Sequence, residues 1–198
     1  MIKLKTLLSD IPTPIRLFLG KALLFFVVWK IVYIGFLLES KVLDHALTTH
    51  IGDACVEILN NWTSMSGFRA VREAKTSIYE GESTTEIASL ILHNDRRVLY
   101  IADLCNGLEL IALYIGFIVC IPSSFWRKVR YIIIGVIILD LVNIARCIGL
   151  IYLQEYYEYY FDIAHKYIFN VTVYSVTFLL WVIYTRKIHL NNETLQIR

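Results

Sequence analysis

The sequence predicts an all-α integral membrane protein: a bundle of about four transmembrane helices with an extracytoplasmic segment that contains candidate short strands. The first observation is composition. Of 198 residues, 57% are hydrophobic and 18% charged, whereas soluble domains contain roughly 45–50% apolar and about 25% charged residues. The second is four apolar stretches, residues 17–38, 104–121, 131–153 and 166–185, each able to cross a hydrocarbon layer of about 30 Å. We therefore expect a single membrane domain over residues 1–198.

Basic residues beside these stretches predict the orientation of the helices. Three clusters fall on one side of the predicted bundle: Lys3, Lys5, Arg16 and Lys21; Arg127, Lys128 and Arg130; and Arg186 and Lys187. Cytoplasmic loops carry an excess of lysine and arginine. We therefore expect a multi-pass protein with both termini in the cytoplasm and with residues 39–103 and 154–165 outside.

The outer segment, residues 39–103, is predicted to be an extracytoplasmic elaboration with mixed local structure. Val42 to Trp62 has a weak helical periodicity and is expected to lie along the membrane surface. Val98 to Ala102 and Thr76 to Tyr79 are candidate short strands. The polar run from Ser77 to Thr85 is typical of a turn or loop.

The third apolar stretch carries polar residues at a regular spacing. Asp140, Asn143 and Arg146 recur every three residues and so share one helix face. Ionisable residues inside a membrane span are costly, which makes each a functional hypothesis. Counted from Tyr131, Arg146 lies about 22 Å along the helix, in the outer third of the bilayer.

Two further reactive groups are predicted at the same depth. Cys105 lies at the outer mouth of the second helix, where the helix N-terminus and Arg146 are expected to lower the pKa of the thiol. Glu109 is one turn deeper, and His165 ends the outer loop before the last helix. A thiol, a guanidinium and an imidazole are the groups that cysteine-based acyl transfer requires.

These residues resemble a known family signature. The run Leu104 to Leu108, the spacing from Asn143 to Arg146 and the late His165 resemble, in the same order, the signature of the exosortase/archaeosortase family. The likeness covers residues 97–185 and is closest to its short XrtF-like bacterial branch. Asn106 stands where many members have serine.

The resemblance implies an integral-membrane analogue of sortase, a cysteine-dependent peptidase or transpeptidase in a bacterial cytoplasmic (inner) membrane. Its substrates would be exported proteins with a C-terminal motif, a hydrophobic helix and a basic tail. Cys105 would attack the scissile carbonyl, His165 would transfer protons and Arg146 would stabilise the oxyanion, all at the outer membrane face. An acyl acceptor would then release the thioester. Residues 104–185 would form the catalytic helices, supported by Asn143, Asn106, Gly107, Glu109 and Asp140.

Other readings remain open at this point. A non-catalytic membrane assembly or lipid-binding subunit would use Arg146 and Asp140 as a buried pair. A disulfide between Cys55 and Cys105 would silence the nucleophile. Asn143 would either orient Arg146 or donate to the reacting carbonyl. The net charge of +2 suggests no nucleic-acid partner. The four cysteines show no zinc-site spacing, so no metal or other cofactor is expected. Membrane lipid is expected to surround the helices.

Overall fold

The computed structural model of the protein describes residues 13–37, 41–63, 65–79 and 82–196. The chain is mostly helical over these residues and includes one three-stranded sheet. In chain order, the helical elements are α1 (Thr13–Val32, continued by a π-helical turn, Tyr33–Leu37), α2 (Val42–Trp62), a 3-10 turn (Asp103–Cys105), α3 (Leu108–Cys120), α4 (Phe125–Tyr156), α5 (Glu158–Ile163), a π-helical turn (Ala164–Ile168) and α6 (Phe169–Gln196). The strands are β1 (Phe68–Tyr79), β2 (Glu82–His93) and β3 (Arg96–Ile101).

Three helical segments of the described chain are long and apolar enough to cross a membrane. They are Arg16–Gly35, Phe125–Tyr156 and Glu158–Arg186. The fourth predicted span, residues 104–121, is represented by α3, which is apolar but has only 13 residues. At 1.5 Å per residue it is about 20 Å long, shorter than the hydrocarbon layer of about 30 Å. Length and composition thus support three spans, and a count of four is not confirmed.

The prediction of a mostly helical protein with short strands between residues 39 and 103 is confirmed, and the strands are more extensive than expected: β1, β2 and β3 form an antiparallel sheet in that order. β3 contains most of the predicted strand Val98 to Ala102, and β1 contains Thr76 to Tyr79. The turn or loop predicted around Gly81 was expected to extend from Ser77 to Thr85, and its flanks are instead strands, since Ser77 pairs with Thr84 and Tyr79 with Glu82 within the β1–β2 hairpin. β-Branched threonines fit a pleated strand even where they are polar. Residues 80 and 81 lie outside the described residues.

The second hairpin turn explains where β2 ends. Asn94 and Asp95 join β2 to β3 with φ angles of 48° and 67°. Two-residue hairpin turns of type I′ require positive φ at both central positions, which asparagine and aspartate tolerate better than most residues. The Asn-Asp dipeptide is therefore the local sequence signal for this hairpin.

The helix predicted at Val42 to Trp62 is confirmed as α2, and it packs against α4 and the sheet. Contacts of His50 with Asp140 and of Cys55 with Ile144 show that α2 and α4 run in the same direction. Gly52 allows close approach to the sheet, because a Cβ there would overlap the Ser89 hydroxyl. The shared core is apolar and includes Ile51, Cys55, Leu59, Phe68, Ile91, Leu99, Ile101, Ile144, Cys147, Leu150 and Ile151.

A second core holds α3, α4 and α6 together. Tyr114, Ile118, Leu139 and Tyr184 form this cluster, and the Tyr114 hydroxyl donates to the Tyr131 carbonyl at 2.7 Å. α4 thus passes through both cores, with one part of its length in each. It is the central element on which the rest of the described chain is assembled.

The loop predicted at residues 154–165 is almost entirely helical. α4 continues to Tyr156, and only Tyr157 separates it from α5, which runs without a break through the π-helical turn into α6. The cluster of tyrosines and acidic residues there obscured the helical periodicity on which the prediction depended. His165 therefore lies within a helical segment and not at the end of a loop.

Replacing Gly135 with alanine is expected to destabilise the α3–α4 contact by about 1–3 kcal/mol. The new Cβ would overlap the ring of Tyr114. That ring cannot move aside easily, because it is fully buried and its hydroxyl donates a hydrogen bond to the Tyr131 carbonyl. Thermal melting in detergent measures the effect. The matched control is Gly20→Ala, because nothing lies within 4 Å of a Cβ at that position and alanine favours the helix. Equal melting temperatures for the two variants would contradict this packing.

Candidate active site

A cavity of about 700 Å³ lies between α1, α3, α4 and the α5–α6 segment. All three residues predicted to act in catalysis line it: Cys105, Arg146 and His165. The five predicted supporting residues line it as well: Asn143, Asn106, Gly107, Glu109 and Asp140. Segments far apart in the sequence thus bring the predicted groups to one cavity.

Cys105 lies in a tight turn just ahead of α3. Its N–H donates to the Ala102 carbonyl at 2.9 Å, and the N–H of Asn106 donates to the Asp103 carbonyl at 3.3 Å. Gly107, at φ +82°, then reverses the backbone into α3, and a Cβ at this position would lie 3.2 Å from the Asn143 amide nitrogen. The thiol is therefore presented by a short turn and not by the first residue of a long helix.

Asn143 supports this turn from α4. It is 4% exposed, and its Nδ2 donates to the Cys105 carbonyl at 3.4 Å. The sequence left open whether Asn143 orients Arg146 or donates to a reacting carbonyl. The observed partner is instead the backbone of the residue that carries the thiol.

Arg146 lies beside Cys105. The guanidinium is within hydrogen-bonding reach of the thiol, and its Nε is buried without a hydrogen-bond partner among the described residues. A buried N–H that lacks a partner costs free energy. Arg146 thus retains a donor that no described group of the protein uses.

His165 reaches the cavity from the π-helical turn. Its ring lies parallel to Phe161, with ring centroids 5.9 Å apart, and it is close enough to Arg146 and Asp162 to interact electrostatically with both. Single π-helical turns within α-helices occur frequently at functional sites. The imidazole, guanidinium and thiol therefore line one cavity, although His165 belongs to a helix and not to the predicted loop.

The pKa of the Cys105 thiol differs from the sequence expectation. Burial raises this pKa above its ordinary value, and the positive charge and hydrogen bond of Arg146 only partly oppose the effect. The free-energy cost of removing the thiolate from water exceeds the stabilisation that the neighbouring Arg146 cation provides. The expectation of a lowered pKa is therefore wrong, and the resting thiol is protonated at neutral pH.

The alternative of a non-catalytic subunit predicts that Asp140 and Arg146 form a buried pair, and the contacts of Asp140 do not match this prediction. Asp140 Oδ2 lies 3.0 Å from His50 Nε2 on α2, and within the described part of the chain no ion pair joins it to Arg146. Glu109 and Lys30 also line the cavity. Lys30 is exposed but borders the cavity, a position that charged residues within apolar helices commonly take.

The disulfide considered between Cys55 and Cys105 is not formed. All four cysteines are free. Cys55 is fully buried in the core between α2 and α4, where its thiol contacts Cys147 and the Ile144 carbonyl, the latter at 3.7 Å. The Cys105 thiol remains available to the cavity.

The other half of the cavity is aromatic. Phe117 of α3 stacks on Trp181 of α6 with ring centroids 4.4 Å apart, and Phe18 of α1 meets the edge of Phe117 at 5.8 Å. Phe25, Phe26 and Trp29 of α1 complete this apolar wall. The cavity is therefore amphipathic, with reactive polar groups at one end and a surface suited to apolar chains at the other.

Sequence reasoning missed the contribution of α2 to the site. Asp44 is 6% exposed and Thr48 is 2% exposed, and both contact the turn that contains Cys105. Their four-residue spacing places them on one helix face, together with buried Ile51 and Cys55. The sequence signal for this contribution was the position of Asp44 and Thr48 on the same helix face as apolar Ile51 and Cys55.

Comparison with known proteins gives a family match over most of the chain. A family model described as Transmembrane exosortase (Exosortase_EpsH) matches residues 12–183. Neither the search of curated proteins nor the search of solved structures gave a significant match.

Alkylation of Cys105 by N-ethylmaleimide is expected to rise with pH and to reach its midpoint above about 8.5, the ordinary pKa of a cysteine. The reason is that burial raises the thiol pKa. Arg146→Gln removes the cation that favours the thiolate, so the midpoint should move to still higher pH. Mass spectrometry of the Cys105 peptide measures the rate.

The matched control for this measurement is Arg130→Gln, which removes an exposed arginine from the opposite part of α4. It should leave the midpoint unchanged. A midpoint below the ordinary cysteine value in the unmodified protein would contradict the dominance of burial over the Arg146 charge. An equal shift in both variants would show that Arg146 does not act on this thiol.

Proposed function

Since the chain belongs to the transmembrane exosortase family, we propose that it is a membrane-embedded cysteine peptidase or transpeptidase that cleaves the C-terminal sorting signals of exported proteins. Membership of this family suggests a membrane-embedded sorting protease. The observation that carries the finer proposal is the meeting of Cys105, Arg146 and His165 in one cavity. These side chains are a nucleophile, a cationic donor and a proton-transfer group.

In the proposed first half-reaction, the Cys105 sulfur attacks the carbonyl carbon of the scissile peptide bond while His165 accepts the thiol proton. Because burial keeps this thiol protonated at neutral pH, a base is needed at the moment of attack. The C–N bond then breaks, and the departing amine takes the proton from His165. The acyl group remains on Cys105 as a thioester.

The second half-reaction returns the enzyme to its starting state. An amine acceptor or water loses a proton to His165 as it attacks the thioester carbonyl. The carbon–sulfur bond breaks and the sulfur regains its proton. Attack by an amine gives transpeptidation, and attack by water gives hydrolysis.

Arg146 is proposed to stabilise the oxyanion of both tetrahedral intermediates. Its unpartnered Nε–H is buried next to the nucleophile. Donors that are fixed before negative charge develops cost no reorganisation when the reaction occurs. Removal of such a donor typically slows catalysis by about 10²–10³.

The substrate is proposed to be an exported protein with a short C-terminal motif, a hydrophobic helix and a basic tail. The aromatic wall formed by α1, Phe117 and Trp181 suits an apolar segment. Basic Arg127, Lys128 and Arg130 begin α4, and Arg127 lies 19 residues, or about 28 Å, from Arg146. By the positive-inside rule, we propose a bacterial cytoplasmic membrane, cytoplasmic termini and an outward-facing site.

Cys105→Ala and Cys105→Ser are expected to abolish cleavage while the fold is retained. The test co-expresses each variant with a tagged exported reporter that carries the three-part C-terminal signal, and precursor accumulation is followed by immunoblot. The control is Cys120→Ala, because Cys120 lines the same cavity but is separated from Cys105 by the length of α3. Normal cleavage by Cys105→Ala would refute the proposed nucleophile.

Arg146→Met is expected to lower kcat by about 10²–10³ with little loss of folded protein, since Arg146 has no ion-pair partner among the described residues. Reporter cleavage and size-exclusion profiles in detergent give the two readouts. A non-catalytic subunit held by a buried Arg146–Asp140 pair would show the reverse: loss of folded protein from Arg146→Met and no effect of Cys105→Ala.

A further inference from the structure

We propose that the first turns of α2 are a clamp that fixes the position of the Cys105 thiol, with Asp44 and Thr48 as its positioning residues. The inference rests on the proposed function for its catalytic consequence. Its structural basis is a set of buried polar contacts on both sides of Cys105. Neither residue touches the proposed reacting atoms, so both would act through the turn.

The contact on the C-terminal side of Cys105 joins Asn106 to Asp44. Asn106 is 3% exposed, and its Nδ2 donates to the Asp44 carboxylate at 2.9 Å and to the Asp44 carbonyl at 3.3 Å. The Oδ1 of Asn106 accepts the N–H of Leu108 at 2.9 Å. Asn106 thus links α2 to the start of α3 immediately after the nucleophile.

The contact on the N-terminal side joins Asp103 to Thr48. The Thr48 hydroxyl donates to Asp103 Oδ1 at 2.8 Å. The second oxygen of Asp103 lies 3.7 Å from His45 Nε2, and neither of these two atoms has a hydrogen-bond partner in the described structure. Asp103 in turn accepts the N–H of Asn106 through its carbonyl.

Only two residues separate the two contact points on the turn, and Cys105 is one of them. A 3-10 turn of three residues makes too few backbone hydrogen bonds to hold a fixed geometry alone. A displacement of about 1 Å at a reacting atom can reduce catalysis about 10²-fold. Side-chain contacts at residues 103 and 106 supply the restraint that the backbone lacks.

The polar contacts are not needed to attach α2 to the protein. Ile51, Cys55 and Leu59 already hold this helix in an apolar core with α4 and the sheet. Removal of the Thr48 hydroxyl, one turn before Ile51, should therefore leave the helix in place. The loss of this hydroxyl should instead increase the mobility of the turn that carries Cys105.

The test uses Thr48→Val, which removes the hydroxyl but keeps the shape of the side chain. Its control is Thr177→Val, because Thr177 is also 2% exposed and its hydroxyl donates to the Val173 carbonyl of its own helix. Two readouts are combined for each variant. One is reporter cleavage, and the other is the N-ethylmaleimide reaction of each cysteine, resolved by peptide mass spectrometry in detergent.

Thr48→Val should lower kcat at least tenfold with KM unchanged, and should accelerate alkylation of half-buried Cys105 severalfold. Cys55 and Cys147 should stay protected, because both are in the core that α2 shares with α4. Asp44→Ala should behave like Thr48→Val. Asp44→Asn should largely restore both readouts, since it keeps an oxygen that accepts from Asn106.

The clamp would be overturned if Cys105 were alkylated at an unchanged rate in Thr48→Val and Asp44→Ala, or if Thr177→Val had an equal effect. It would also be overturned if Cys55 and Cys147 became reactive together with Cys105, because that would indicate general unfolding. The alkylation readout needs no turnover. If Cys105→Ala still cleaves the reporter, the proposed function fails, while selective alkylation of Cys105 still decides whether the clamp exists.

Discussion

The rest of the structure depends on the cost of burying polar groups within an apolar helical bundle. α4 carries Asp140, Asn143 and Arg146 through a molecule that is largely hydrophobic, and each must find a partner or a cavity because lipid offers none. His50 meets Asp140, and the turn that contains Cys105 meets Asn143. The cavity is where these requirements converge, so the site and the architecture have the same physical origin.

Desolvation also shapes the chemistry proposed for the site. The surroundings that bring Cys105 next to Arg146 also remove the thiol from water, and its pKa rises in consequence. A nucleophile in this condition is inert until a base reaches it. That suits a protease in contact with lipid and other membrane proteins, because reactivity would then appear only when substrate, thiol and imidazole are together in the cavity.

The sequence predicted the cavity lining better than the fold. Asp140, Asn143 and Arg146 were recognisable because polar residues at helical spacing are conspicuous in an apolar stretch. The β1–β2 hairpin was missed because its polar middle has the composition of a loop, and strand pairing is a long-range property. The helical spacing of Asp44 and Thr48 with Ile51 and Cys55 indicates that they are buried, but not what they contact, since their partners lie more than fifty residues away.

α3 is about 10 Å too short to match the hydrocarbon thickness. Such hydrophobic mismatch is relieved by local thinning of the lipid, by displaced flanking residues or by association with other helices. Were α3 to cross the bilayer, local thinning would bring headgroups and water toward the turn that carries Cys105. The proposed activity would then be coupled to the thickness of the host bilayer, which longer acyl chains increase and shorter ones decrease.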